Sequence, residues 1–187
     1  MYSTTDFKKG LKIEIDGDPY VIIEFQHVKP GKGGAFVRTK IKHMVTGRVL
    51  DPTFRSGDKV GKPDLESVEA QVLYADGEDY HFMNTATYDQ IAMSVESLGD
   101  AVHFLKEQMT VDLLIYNGEP INIELPNFVE LLVTQADPGL KGDTASGAQK
   151  PVTMETGLQV NVPLFINEGD ILKIDTRSSS YSEKVNK

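Results

Sequence analysis

Six residues, Lys29-Pro30-Gly31-Lys32-Gly33-Gly34, separate two runs with strand character, residues 20–26 and 35–42. A Gly/Pro-rich connection of this length between two strands makes a β-hairpin. Pro30 fixes one φ angle, and the three glycines permit left-handed or crowded backbone around a single cation. The hairpin should therefore end in a slim projecting tip with Lys32 at its apex. Ordering glycine costs about 0.5–1 kcal/mol per residue relative to alanine. That expense suits a tip that enters a narrow space or is closely gripped. An ordinary surface hairpin carrying a solvated lysine satisfies the same six residues.

The rest of the chain repeats this style of punctuation. Leu11-Lys12-Ile13-Glu14-Ile15 alternates with period two and runs into the turn Asp16-Gly17-Asp18. A short run follows at Arg48-Val49-Leu50, and Arg55-Ser56-Gly57-Asp58 with residues 59–63 closes this part without a helical pattern, so residues 1–63 read as a small SH3-like barrel. Arg38, Lys40 and Lys42 alternate along one strand and share a face. A basic ladder beside a basic tip fits a polyanion; a lysine-guarded strand edge fits it equally well. Residues 64–127 carry strands at 66–74 and 80–83, then Asn117-Gly118 between two further strands, the strongest short hairpin signal. Leu98, Val102 and Leu105 at helical spacing predict one amphipathic helix over 97–108, inside a second, OB-like barrel. Residues 128–187 hold strands at 128–133, 152–155, 158–162, 164–166 and 171–175, with a long polar loop at 137–147. Loops of that length inside compact domains are often functional, though a flexible tether reads the same way.

Charge is divided among these segments. Residues 1–63 hold 12 Lys/Arg against 7 Asp/Glu, residues 64–127 hold Lys106 alone against 13 acids, and residues 128–187 hold 6 against 8. The chain's net −9 thus conceals a basic N-terminal third that could face phosphates and an acidic middle third. A polar solvated surface accounts for the same numbers. With 40% hydrophobic and 25% charged residues among 187, the chain is globular rather than disordered. The absence of cysteine excludes a disulfide scaffold, a thiol nucleophile and Cys-type zinc sites. No apolar run approaches the ~20 residues that span a bilayer, and the N-terminus lacks a signal-peptide core. A soluble cytoplasmic protein without membrane attachment is expected.

Catalytic motifs are missing. Gly142 and Gly147 have P-loop spacing, but Ala148-Gln149 stands where Lys-Ser/Thr is required. His27, His43, His81 and His103 are scattered and form no zinc-ligand pair. No Gly-x-Ser-x-Gly elbow occurs. The acids of the middle third read as surface, so neither an enzyme nor a metal site is expected.

Several segments together resemble one family. Pro30-Gly31-Lys32-Gly33-Gly34-Ala35-Phe36-Val37-Arg38 resembles the lysine-bearing loop of the bacterial elongation factor P family. Residues 150–169 resemble its C-terminal signature at full spacing, and residues 137–145 and 175–178 are similar to further family segments. The motifs agree in order across essentially the whole chain. Ser146-Gly147-Ala148-Gln149 departs from the commonest glycine-rich form of its loop.

The resemblance implies an all-β chain of three small barrels in an L-shaped, tRNA-like arrangement: an SH3-like (KOW-type) domain at 1–63, and OB-folds at 64–127 and 128–187. It implies a translation factor that binds the ribosome between the P and E sites and relieves stalling at consecutive prolines. Lys32 would be the working residue, with Pro30, Gly31, Gly33 and Gly34 shaping its loop. Lys29, Arg38, Lys40 and Lys42 would contact tRNA or rRNA. Gly142, Asp143, Thr144, Ala145, Ser146 and Gly147 would approach the E-site codon near the small subunit, and Arg177 and Tyr181 would add RNA contacts. Implied partners are rRNA and ribosomal proteins, the P-site peptidyl-tRNA, the E-site codon and an enzyme that modifies Lys32. No cofactor is implied beyond that covalent group, β-lysyl or aminopentanol in lysine-bearing relatives, and a monomer is expected. The competing reading is a general single-stranded-RNA-binding or chaperone barrel. The acidic middle barrel and the lack of tryptophan weigh against it.

Overall fold

The computed structural model describes residues 1–138 and 148–185. The chain is all-β and divides into two compact units, residues 1–66 with 115–122, and the remainder. In the first unit, β1 (Tyr2–Ser3) is followed by β2 (Lys12–Ile15), β3 (Asp18–Val28), β4 (Phe36–His43), β5 (Val49–Leu50), β6 (Thr53–Arg55) and β7 (Lys59–Val60). β2, β3, β4 and β5 pair in that order, β6 also pairs with β4, and β1 pairs with β7. The expected Asp16-Gly17 turn is present, with φ of 52° and 83° at its two residues. Positive φ at both positions matches the twist of a two-residue hairpin.

One bridge joins the β1–β7 pair to the main sheet of this unit. Glu14 on β2 exchanges backbone hydrogen bonds with Gly61, just beyond β7, at 2.9 and 3.0 Å. Beneath it, Ile13, Ile22, Val37 and Ile41 are almost wholly buried, and Phe7 meets Phe54 edge-on at 5.3 Å. A β-carbon at Gly61 would lie 3.2 Å from Glu14 Cβ and 3.4 Å from its carbonyl oxygen. Neither of those atoms can swing aside as a side-chain tip could. Gly61→Ala is therefore expected to cost about 1 kcal/mol, the low end of overpacking effects. Urea unfolding followed by a probe in residues 1–60 would register it; an unchanged midpoint would mean the bridge yields.

The second sheet has the order β10-β9-β8-β11-β12, built from β8 (Leu65–Ala75), β9 (Asp79–Asn84), β10 (Gln90–Ser94), β11 (Thr110–Tyr116) and β12 (Glu119–Glu124). Asn117-Gly118 forms the expected hairpin turn, with φ of 52° and 81°. The helix expected over 97–108 is instead a single α-turn, α1 (Val95–Leu98), followed by a 3-10 segment, Gly99–Phe104. Gly99 (φ 57°) ends the α-turn, and its N–H bonds back to Val95. Leu98 in the α-turn, Phe104 in the 3-10 segment and Leu105 just after it are buried, whereas Val102 is only half-buried, so the apolar spacing was a partial guide to burial and none to helix type.

The third sheet runs β15-β14-β13-β16-β17, from β13 (Phe128–Ala136), β14 (Gln149–Met154), β15 (Gln159–Pro163), β16 (Ile171–Asp175) and β17 (Ser180–Lys184). β13 pairs with β16 over its first half and with β14 over its second, so one strand serves both sides of the core. Leu131, Val162, Ile166, Leu172 and Ile174 are fully buried there. The strand expected over 164–166 is a turn. The N–H of Ile166 bonds to Pro163 O at 3.2 Å, which buries Ile166 and leaves Phe165 61% exposed.

Candidate functional site

β3 and β4 make the hairpin expected around Lys32. Their register runs from Tyr20↔His43 to Val28↔Phe36, with a bulge between Ile22 and Glu24. A bulge adds local twist and bends its strand. Below it Tyr20 and Ile22 are buried; beyond it Glu24, Phe25, Gln26 and His27 are all exposed on their own strand. The outer half of β3 has therefore left the core. Residues 29–34 at its end are exposed without exception. Among the described residues, no hydrogen bond or ion pair engages Lys32. The cation is therefore free to meet solvent or an external anion.

The glycines of the tip divide into two kinds. Gly33 has φ +102°, which only glycine adopts without strain. Gly31 and Gly34 carry no such requirement, and a β-carbon at Gly31, Gly33 or Gly34 would meet nothing within 4 Å. The sequence suggested crowded backbone, yet the space around the tip is open. Among the described residues, nothing in this chain requires small residues at 31 and 34.

Arg38, Lys40 and Lys42 alternate on β4 as expected, with buried Thr39 and Ile41 between them and buried Val37 just before. The ladder is not purely cationic. Lys40 Nζ lies 3.8 Å from Glu24 Oε2, its cross-strand partner, and Arg38 sits over the Phe36 ring, 5.5 Å from the centroid. An exposed pair such as Lys40–Glu24 contributes about 0–1 kcal/mol, so a phosphate could compete for Lys40. Arg38, Lys40, Glu24, Gln26, Asp51 and Thr53 border an open groove on the same hairpin. Lys29 is exposed at the start of the tip.

Gly142, Asp143, Thr144, Ala145, Ser146 and Gly147 lie outside the described residues. Buried Lys150, at the start of β14, donates to Asp137 O at 2.6 Å. Arg177 lies in the β16–β17 turn, largely exposed, whereas Tyr181 on β17 is half-buried against the core. The histidines stay apart. His27 meets Phe25 edge-on, and His43 Nδ1 accepts from the Val45 and Thr46 backbone. His81 stacks on Tyr74 at 4.4 Å and bonds through Nε2 to Asp76 Oδ2 at 2.8 Å.

That His81 bond, joined by the N–H groups of Asp79 and Glu78, lowers the Asp76 pKa to about 2. The carboxylate form is favoured in the folded chain. Whatever it contributes to stability is present above the ordinary value of 3.8 and is lost as pH falls through about 2. A carboxyl titration by NMR should place the Asp76 midpoint near 2; a midpoint near 4 would mean the turn does not hold it.

Three family models account for nearly all of the chain. The elongation factor P KOW-like domain matches residues 3–60, the OB domain residues 65–123 and the C-terminal domain residues 129–184. Elongation factor P of Maridesulfovibrio salexigens is 61% identical over 181 residues, covering 97% of each chain. The chain belongs to the elongation factor P family. A second relative, elongation factor P of Natranaerobius thermophilus, is 56% identical over 185 residues, covering 99% of this chain and 98% of its own. A solved structure described as eukaryotic translation initiation factor 5A from Methanococcus jannaschii matches with a TM-score of 0.53. At 23% identity, over 66% of this chain and 90% of that one, it attests the fold alone. Membership in the elongation factor P family makes this chain a translation elongation factor and not an enzyme. No helix among the described residues is long and apolar enough to cross a membrane.

Proposed function

We propose that this elongation factor binds the ribosome between the P and E sites, in the cytoplasm and as a monomer, and stimulates peptide-bond formation at consecutive prolines. The observation that carries the reading is Lys32 itself: a cation without a partner among the described residues, on a glycine tip at the end of a hairpin that has left its core. Proline is a hindered nucleophile. Holding the acceptor end of the peptidyl-tRNA in reactive geometry recovers rate without acid–base chemistry, and the ribosome remains the catalyst. Lys29, Arg38, Lys40 and Lys42 supply phosphate contacts along the tRNA or rRNA, a sequence-independent and salt-sensitive mode of binding. Gly142–Gly147 approaches the E-site codon, and Arg177 and Tyr181 add RNA contacts in the same domain.

A longer cation would extend the reach of Lys32, so the side chain carries a β-lysyl or aminopentanol group added by a dedicated enzyme. Mass analysis of protein purified from its own host should show that added group on the peptide containing Lys32. Placement is tested by competition. Deacylated tRNA filling the E site should displace the labelled factor from ribosomes that hold peptidyl-tRNA in the P site. Undiminished binding to E-site-filled ribosomes would overturn it.

A further inference from the structure

Phe128 opens β13 and is 39% exposed, and the register sets Asp175 directly opposite it. Two residues further on, Arg177 folds back onto this pair. Its backbone N–H and Nε donate to Asp175 Oδ1 at 2.9 and 3.1 Å, and Nη2 donates to Oδ2 at 2.9 Å. So held, the guanidinium lies over the Phe128 ring, 5.5 Å from its centroid. Lys173 Nζ lies over the same ring at 4.8 Å and pairs with Glu183 at 3.2 Å. The turn is clamped as well: Thr176 donates from its N–H to Asn127 O at 2.9 Å and from Oγ1 to Pro126 O at 2.6 Å. Even so, the Arg177 side chain remains 62% exposed.

An arginine that serves a phosphate does so by directing its N–H donors, often two at once, at the anion. Here Nε and Nη2 are already engaged by Asp175, which offsets much of the charge that a phosphate would feel, and the planar group is held in place while its side chain stays largely exposed. Because its plane is preorganised, binding there costs little further side-chain entropy. A fixed planar cation with its charge already balanced suits the π-face of a base better than an anion.

We propose that Arg177, locked by Asp175 and backed by Phe128, is a stacking shelf for an unpaired RNA base. The proposal rests on the ribosome-binding reading above. It adds the chemistry of the ligand at Arg177 and two positioning residues, Phe128 and Asp175.

The test uses the labelled full-length chain and ribosomes that hold mRNA and peptidyl-tRNA in the P site. Affinity is measured over a range of salt concentrations, with each variant shown to be folded by its unfolding midpoint. Arg177→Lys keeps the charge but loses the plane, and should weaken Kd about tenfold, the low end of base-stacking effects. Phe128→Leu should weaken it about threefold. Arg177→Gln should weaken it without flattening the dependence of log K on log salt, because no phosphate contact is lost. The shelf is overturned if Arg177→Lys binds within twofold of wild type. It is equally overturned if Arg177→Gln reduces the salt slope by about 0.7–0.9, the signature of one lost phosphate. Wild-type chain that does not bind ribosomes overturns both readings; wild-type binding with an indifferent Arg177→Lys overturns the shelf alone.

Discussion

Lys32→Ala is expected to reduce the stimulation of a Pro-Pro-Pro template at least tenfold while leaving the unfolding midpoint where it was. The two halves of that result have separate causes. Stability should not change because Lys32 is exposed and bonded to nothing among the described residues; surface substitutions of that kind stay within about 0.5 kcal/mol. Activity should fall because the cation is the only charged group at the apex, and positioning can supply several kcal/mol of a barrier. About 1.4 kcal/mol is already a factor of ten. Lys32→Arg should rescue only in part, since a planar fork replaces a compact ammonium and offers no site for the amine-linked extension. Retention of full stimulation by Lys32→Ala would remove the tip from the mechanism.

Gly34→Val should be comparably damaging on proline templates and comparably silent in unfolding. A β-carbon at Gly34 meets nothing within 4 Å, and its φ lies outside the left-handed region, so the isolated chain has no reason to object. A narrow receiving site does. Gly33→Ala separates this explanation from ordinary backbone strain. With φ +102° it should cost about 1 kcal/mol of stability as well as activity. Measured side by side in urea unfolding and in translation, the two variants should share the activity defect and differ in the stability defect. If Gly34→Val translated proline templates like wild type, the tip would have room around it when bound, and close fit would be the wrong account of its glycines.

What could be read from residue order follows from the range of the interactions involved. Asp16-Gly17, Asn117-Gly118 and the Lys32 hairpin are local devices, in which a few consecutive residues settle the turn, and all three formed as expected. The alternation of Arg38, Lys40 and Lys42 was legible for the same reason. The bulge after Ile22, which separates the buried base of β3 from its exposed end, was not legible, because Val21-Ile22-Ile23 is a continuous apolar run without alternation. The Glu14–Gly61 bridge, and the meeting of Phe128 with Arg177, join residues nearly fifty positions apart. Nothing in either neighbourhood marks them. Helical spacing at Leu98, Val102 and Leu105 misled because a 3-10 segment repeats nearly as often as an α-helix, and Gly99 permits the change of winding.

The central claim is that this chain relieves stalling at consecutive prolines by means of its Lys32 tip. The most direct test is the yield of a Pro-Pro-Pro-containing peptide in a purified bacterial translation reaction, with and without protein isolated from its own host. A matched template without consecutive prolines is run alongside. A rise on the proline template alone is the result the account predicts; equal yields on the proline template with and without the protein would contradict it.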